Sequence, residues 1–445
     1  MMNRLSSLQL AFGNHLTIRL VGILLAVCFG TLPVVVAQSS PQSASEILKA
    51  GFTTEKQMRG GEIHPYPLEL PVGHYLKLIV EQKGIDVEVV LSGPDGAVVC
   101  QVDSPNGTQG PEPLSWVSST AGVYQLKIIS SSKIAPVGTY ELKILSLGPA
   151  STRDIQTHDV ETLLQKVSLA NQAGKYDEGI ALATEALTKA EAAFGPEHLL
   201  VADAVNYLGV LAYRKNEFAK AEALYQRALT IREKLTGSES EEVAESLSNL
   251  ALVYYKIGDY PRSEPLYQKS VAIKEKLFGP EHPLVAASLH NFGILYRAWG
   301  DYPKAETILK RALAMKERFF GKEHREVALT MNELALVYQE TANYRQAELL
   351  QKWVLELNEK ALGPDHPSVA LALNNLGLTY AQLGEYTQAE VLYRRALKIR
   401  EKAFGPNHPG VALILGNLGG LYHDRGDYVK AKELFYQALA IDEKV

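Results

Sequence analysis

Six glycines, Gly195, Gly237, Gly279, Gly321, Gly363 and Gly405, stand 42 residues apart without a slip. An aromatic column keeps the same step: Tyr176, Phe218, Tyr260, Tyr302, Tyr344, Tyr386 and Tyr428. A fixed period of this length means a repeat array, in which each unit is one supersecondary element. Within each unit, two apolar stretches recur at helical spacing, with no strand-like alternation. No single helix pair buries its own apolar face, so the pairs must stack on one another to make a core. Small residues make close stacking feasible: Gly209, Ala251, Gly293, Ala335, Gly377 and Gly419 on the first helices, and Ala221, Ala305, Ala347, Ala389 and Ala431 on the second.

One unit shows the phrase in full. Asn374-Asn375-Leu376-Gly377-Leu378-Thr379-Tyr380 is followed by Gly384-Glu385-Tyr386, then Ala389, Tyr393 and Ala396. This resembles the tetratricopeptide repeat, and the 42-residue period with links such as Phe278-Gly279-Pro280-Glu281-His282-Pro283 resembles the longer kinesin-light-chain variant. The resemblance implies seven helix-turn-helix units over 157–445, wound into an α-solenoid superhelix whose concave groove takes a peptide or protein partner. The first unit departs from the phrase at Lys166, Val167 and Gly179, as a repeat that caps the stack should.

The chain's other end reads differently. Arg4 and Arg19 precede an apolar run from Leu20 through Val36, closed by Ala37 before Gln38. Residues 1–37 are therefore expected to be a secretory signal peptide, and the protein to be exported: periplasmic, envelope-bound or secreted. An uncleaved anchor is the alternative, which would make this segment the only membrane contact; lipidation at Cys28 is a third. Residues 38–66, rich in Ser, Gln and Gly, read as a linker.

From 67 to 149 the pattern changes to period 2. Strands are expected at 74–81, 86–91, 122–128 and 138–144, separated by the turns Gly93-Pro94-Asp95-Gly96, Ser104-Pro105-Asn106-Gly107 and Thr120-Ala121-Gly122. That is an antiparallel β-sandwich. Its Gly-x-Tyr strand starts, Asp86-Val87 and Pro94-Asp95-Gly96 resemble the bacterial pre-peptidase C-terminal domain, an accessory module of extracellular proteins that sometimes binds calcium. Asp86, Asp95 and Asp103 are candidate ion ligands on that resemblance. Turn formation explains the same residues, and no Asp-x-Asp-x-Asp loop is present.

Chemistry is sparse elsewhere. The net charge of −5 lacks the basic footprint of a nucleic-acid binder. Two cysteines, Cys28 and Cys100, provide no disulfide framework and no cysteine-rich zinc site. His198, His282, His324, His366 and His408 recur in phase, but repeats stacked ~8–10 Å apart cannot bring such a ladder to one metal ion. These histidines are expected to cap helices that Pro283, Pro367 and Pro409 begin. No nucleophile elbow, phosphate loop or HExxH occurs, so neither catalysis nor a cofactor is expected. The charged tails Arg232-Glu233-Lys234, Lys274-Glu275-Lys276, Lys316-Glu317-Arg318 and Arg400-Glu401-Lys402 read as solvated helix surface.

The groove holds the candidate binding residues. With the Leu-Gly columns packed, the open face of the first helices should carry Asn206, Ser248, His290, Asn332 and Asn374, with Val210, Leu252, Ile294, Leu336 and Leu378 one turn on and Tyr213, Tyr255 and Arg297 beyond. Asn249, Asn291, Asn375 and Asn417 run beside them. An asparagine amide donates and accepts together, which suits an extended peptide backbone; the same group also suits ties between helices. The sequence thus points to an exported interaction scaffold. Two other readings stand beside it. Chains of this arrangement often continue into a caspase-like CHAT protease domain, and Trp116 and Tyr66 leave room for polysaccharide binding by the sandwich. Leu434, Phe435, Leu439 and Ile441 on the last helix point to a further element, or to self-association, covering that end.

Overall fold

The computed structural model describes residues 48–103, 109–130 and 137–444. The signal-peptide segment, Cys28 and the turn at 104–107 lie outside them. The chain divides between Ser238 and Glu239 into two compact units.

The first unit opens with eight strands: β1 Thr53–Met58, β2 Ile63–Leu70, β3 His74–Lys83, β4 Val87–Ser92, β5 Val98–Val102, β6 Gln109–Val117, β7 Gly122–Ser130 and β8 Gly138–Pro149. They form two antiparallel sheets, in the orders β1-β8-β3-β6 and β2-β7-β4-β5. Inward residues from both sheets share one core, including Leu76, Leu78, Leu126, Leu142 and Tyr140. The stretch read as a linker, 38–66, in fact carries β1 and half of β2. All four strands missing from the sequence reading, β1, β2, β5 and β6, are sheet edges, and the four expected ones are central. Proline accounts for two of the omissions. Pro65 and Pro67 in β2, and Pro111 and Pro113 in β6, lie two residues apart, so each pair turns its missing donors to the same, unpaired side.

Tyr66 is buried rather than available to a sugar, and its hydroxyl meets that of Tyr140 at 2.6 Å. Trp116 packs partly against the core and edge-on to His158. Asp95 serves its turn, its Oδ1 accepting the Ala97 N–H at 3.0 Å. Among the described residues no group of His, Cys, Asp or Glu could hold a metal ion. Cys100 is a free thiol that burial pushes up to about 11.

The repeat helices begin at once. Helix α1, Thr152–Gln172, is separated from β8 by two residues and starts under a capping box in which Ser151 accepts the Asp154 N–H at 3.1 Å and Asp154 accepts that of Ser151 at 2.9 Å. It is followed in this unit by α2 Tyr176–Phe194, α3 Leu199–Arg214 and α4 Phe218–Thr236. The second unit holds α5 Glu241–Lys256, α6 Tyr260–Phe278, α7 Pro283–Trp299, α8 Tyr302–Phe320, α9 Arg325–Glu340, α10 Tyr344–Leu362, α11 Pro367–Gln382, α12 Tyr386–Phe404, α13 Pro409–Asp424 and α14 Tyr428–Asp442. In each unit consecutive helices pack antiparallel in pairs, and the pairs stack as a solenoid.

The glycines spaced 42 residues apart end the second helices. Gly195, Gly237, Gly279, Gly321, Gly363 and Gly405 all have φ between 79° and 87°, and each N–H bonds back to the carbonyl four residues earlier. Next come the histidines. His198, His282, His324, His366 and His408 each accept, through Nδ1, the N–H two residues on, at 3.0–3.2 Å. In four of the five, the ring also stacks on the last phenylalanine of the preceding helix, at 4.5–4.7 Å. Link, cap and stack therefore repeat as one device.

Candidate peptide-binding face

The two kinds of helix differ in what they show to solvent. Second helices such as α6 are exposed at Arg262, Pro265, Gln268, Lys269 and Lys276, a broad outer surface. First helices are covered on most sides and keep a narrow half-buried stripe. In the second unit that stripe runs through Asn249, Asn291, Glu333 and Asn417, with Leu252, Ile294, Leu336 and Leu378 three residues on. On its other flank, four residues back, lie Glu245, Ala287, Leu329, Leu371 and Leu413, of which Leu329 is 38% exposed. Spacings of three and four place these columns on one helix face. An apolar rail on one side, and one that is apolar from Ala287 onward on the other, thus bracket a row in which Asn249, Asn291 and Asn417 are amides.

The expected site residues divide around this stripe. Asn249, Asn291 and Asn417 lie on it, and Asn332 is half-buried beside it. The column one position earlier turns inward: Asn206, His290 and Asn374 are buried. One residue is about 100° of helix, enough to move a side chain from the open stripe to the seam with the next repeat. Asn375, expected to be open, is buried too. Its Nδ2 donates to Asn332 Oδ1 at 3.0 Å, and Asn417 donates likewise to Asn374 at 2.8 Å. These asparagines bridge neighbouring repeats. Ser248 meets Ser270 at 2.7 Å, and His290 Nδ1 meets Thr330 Oγ1 at 3.1 Å. Burial first, then the Lys316 charge, holds His290 neutral well below the usual imidazole range. Tyr255 is buried against Tyr260, and burial raises its hydroxyl pKa. Arg297 pairs with Glu333 at 3.2 Å, both largely covered. In the first unit, Tyr213 packs edge-on to Phe218 and Asn206 lies in the core of α3.

The charged tails are not a free solvated surface. Their first cation points inward. Arg232 reaches Asp203 at 2.8 Å, Lys274 bonds Ser288 at 2.8 Å, and Lys316, 2% exposed, pairs with Glu326 at 2.9 Å. Burial lowers the pKa of both lysines. Their third residue reaches back to the acid of the preceding link: Lys234 to Glu197, Lys276 to Glu239, Arg318 to Glu281, and Lys402 to Asp365, as Lys360 reaches Glu323. The period carries the signal for this ladder, since each cation trails its acid by 37 residues. A polar cluster also replaces core packing at one seam. Gln339 donates to Thr379 at 2.7 Å and Thr379 to Gln351 at 2.6 Å, at a position where other repeats place Tyr267, Leu309 or Tyr393.

A profile of the family described as Tetratricopeptide repeat matches residues 159–234, 242–318, 300–360, 326–402 and 368–444. The chain belongs to the tetratricopeptide repeat family. None of the curated proteins matches it significantly. Among solved structures, this tetratricopeptide array is similar to BtubC (BKLC) from P. vanneervenii, with 26% identity, 52% of this chain and 91% of that one covered, and a TM-score of 0.44. A putative kinesin light chain of Podospora anserina with nearly identical repeats shares 28% identity over 46% of this chain and 98% of that one, at a TM-score of 0.41. The apo form of RapI, 18% identical, covers 64% of this chain and 98% of its own, at a TM-score of 0.50.

Proposed function

We propose that this protein is an exported scaffold that binds an extended segment of another protein along the first helices of 239–445. The observation that carries the reading is the half-buried stripe along the first helices, where the amides of Asn249, Asn291 and Asn417 run between mostly apolar flanks. An extended chain alternates its side chains, so apolar groups can rest on Leu329, Leu371 and Leu378 while Asn249, Asn291 and Asn417 meet its amides. The sandwich would act as an accessory module, and the chain supplies no chemistry of its own. A combined Leu329→Ser and Leu371→Ser change should reduce recovery of a partner from the native cell fraction. Lys360→Glu and Lys402→Glu, on the outer ladder, should not. Equal losses in the two sets would sink the assignment to the first helices. Export is tested separately, since the purified native protein should begin at Gln38.

A second contact is favoured by the exposure of Phe435, Tyr436 and Leu439 on α14. Such a face supports self-association, read as an apparent mass that rises with concentration and returns to the monomer value on Tyr436→Glu and Leu439→Glu.

A further inference from the structure

A second ladder runs over the second helices. Arg227 pairs with Glu191, Arg311 with Glu275 at 2.6 Å, and Arg395 with Glu359 at 2.6 Å; each arginine follows its acid by 36 residues. In the second unit the rung between Arg311 and Arg395 is broken. Position 353, in phase with both, is Trp353, and the acid it would have served is Glu317. The half-buried Glu317 side chain has no ion pair or hydrogen bond among the described residues. Trp353 is 43% exposed, and Leu349, one turn before it, is 70% exposed. Val391, in phase with Leu349 on the next repeat, is 63% exposed. An acid without its cation, an open indole and two aliphatic side chains thus lie on the second helices of the fourth to sixth repeats, away from the first-helix stripe.

We propose that this face is a docking site for a partner protein segment that presents an arginine beside an aliphatic residue. The array shows what fits: at three rungs, Arg227, Arg311 and Arg395, a guanidinium satisfies the equivalent glutamate. A partner's arginine would take that place, with its carboxylate ligand at Glu317 and its flat face on Trp353, a stacking that arginine favours over lysine. The neighbouring aliphatic side chain would cover Leu349 and Val391. The substitution of tryptophan for arginine both removes the internal cation and supplies the ring on which an external one can rest.

The test uses the full chain and a helical peptide, acetylated and amidated, carrying arginine and leucine four residues apart. Titration should perturb tryptophan emission in the parent and leave it unchanged in a Trp353→Phe protein, which keeps Trp116 and Trp299. Replacing the peptide's arginine by neutral citrulline should weaken binding about tenfold. Glu317→Gln should abolish the preference for arginine while the circular dichroism spectrum stays that of the parent. Trp353→Arg should refill the rung, raise the melting temperature and block the peptide. Equal binding by the citrulline peptide, binding that survives Trp353→Arg, or no binding at millimolar peptide would each overturn the proposal. So would sedimentation showing that the chain dimerises through this face, since the occupant would then be a second copy.

Discussion

Asn417 and Asn374 face each other across consecutive first helices, Nδ2 to Oδ1 at 2.8 Å, one repeat and one residue apart in sequence. Asn375 and Asn332 repeat the arrangement one unit earlier. Asn374 is buried, and its loss removes the acceptor of the half-buried Asn417 amide and leaves a gap in the seam. Asn374→Ala should therefore cost about 1–3 kcal/mol of stability, a penalty that partner binding alone would not reveal. A double-mutant cycle with Asn417→Ala, followed by denaturant melts, should show coupling between the two; additive losses would refute the bridge.

The histidine caps predict how stability responds to pH. Each accepts a backbone N–H through Nδ1, a role only the unprotonated nitrogen can fill. Burial lowers the pKa of His198, His282, His366 and His408, and of His290 more strongly, below the 6.5 of a free imidazole. A lowered folded-state value means that the unfolded chain takes up protons first. Their contribution is thus full above about pH 6.5 and is lost as pH falls through the folded-state values. Melting temperature should decline on acidification. His282→Asn, His366→Asn and His408→Asn together keep a capping side chain but cannot titrate, and should flatten the decline.

Ala342 occupies the turn between α9 and α10 at φ 56°, where Gly258, Gly300, Gly384 and Gly426 hold the same place with φ of 77° to 87°. A left-handed alanine carries a steric penalty of roughly 1–2 kcal/mol. Ala342→Gly should relieve part of it, net of the added freedom of the unfolded chain, and raise the melting temperature. A fall would show that the turn is not strained.

Gly377 gives the opposite sign. A Cβ there would stand 2.8 Å from the ring of Tyr393, which is buried and has little room to retreat. Gly377→Ala should destabilise by about 1–3 kcal/mol, despite alanine's better helix propensity. Gly420→Ala, on the first helix of the next repeat, meets nothing within 4 Å and should stabilise by up to ~1 kcal/mol. Paired thermal melts separate the two expectations.

The helices were legible because the repeat writes each of them many times: glycine ends, histidine caps and small-residue contacts all stay in phase. In the sandwich, β3, β7 and β8 were legible because one face of each is buried and their residues alternate, and β4 because its Val-Glu-Val-Val-Leu run has high strand propensity. The edges β1, β2, β5 and β6 have one neighbour each, so prolines and polar runs are tolerated there and the period fades. The site was half legible. Leu252, Ile294, Leu336 and Leu378 lie where the periodicity puts them, but Asn374 and Asn375 look alike as letters, and only the seam with the next repeat shows that both turn inward. Leu329, Leu371 and Leu413 were missed because an apolar residue on a first helix reads as core until the packing shows which side is bare.

The outer ladder has a consequence for ancestry. Lys276 to Glu239, Arg318 to Glu281, Lys360 to Glu323 and Lys402 to Asp365 are the same bond drawn at successive positions. A recombination that duplicated or deleted one 42-residue segment would hand every link acid a new cation of the same kind. Length can therefore drift between lineages without any redesign of the joints. Residues that break the pattern, such as Trp353 and Gln351, do not survive that exchange unmarked. They record which copy is which, and a lineage that depends on one of them is no longer free to shuffle that repeat.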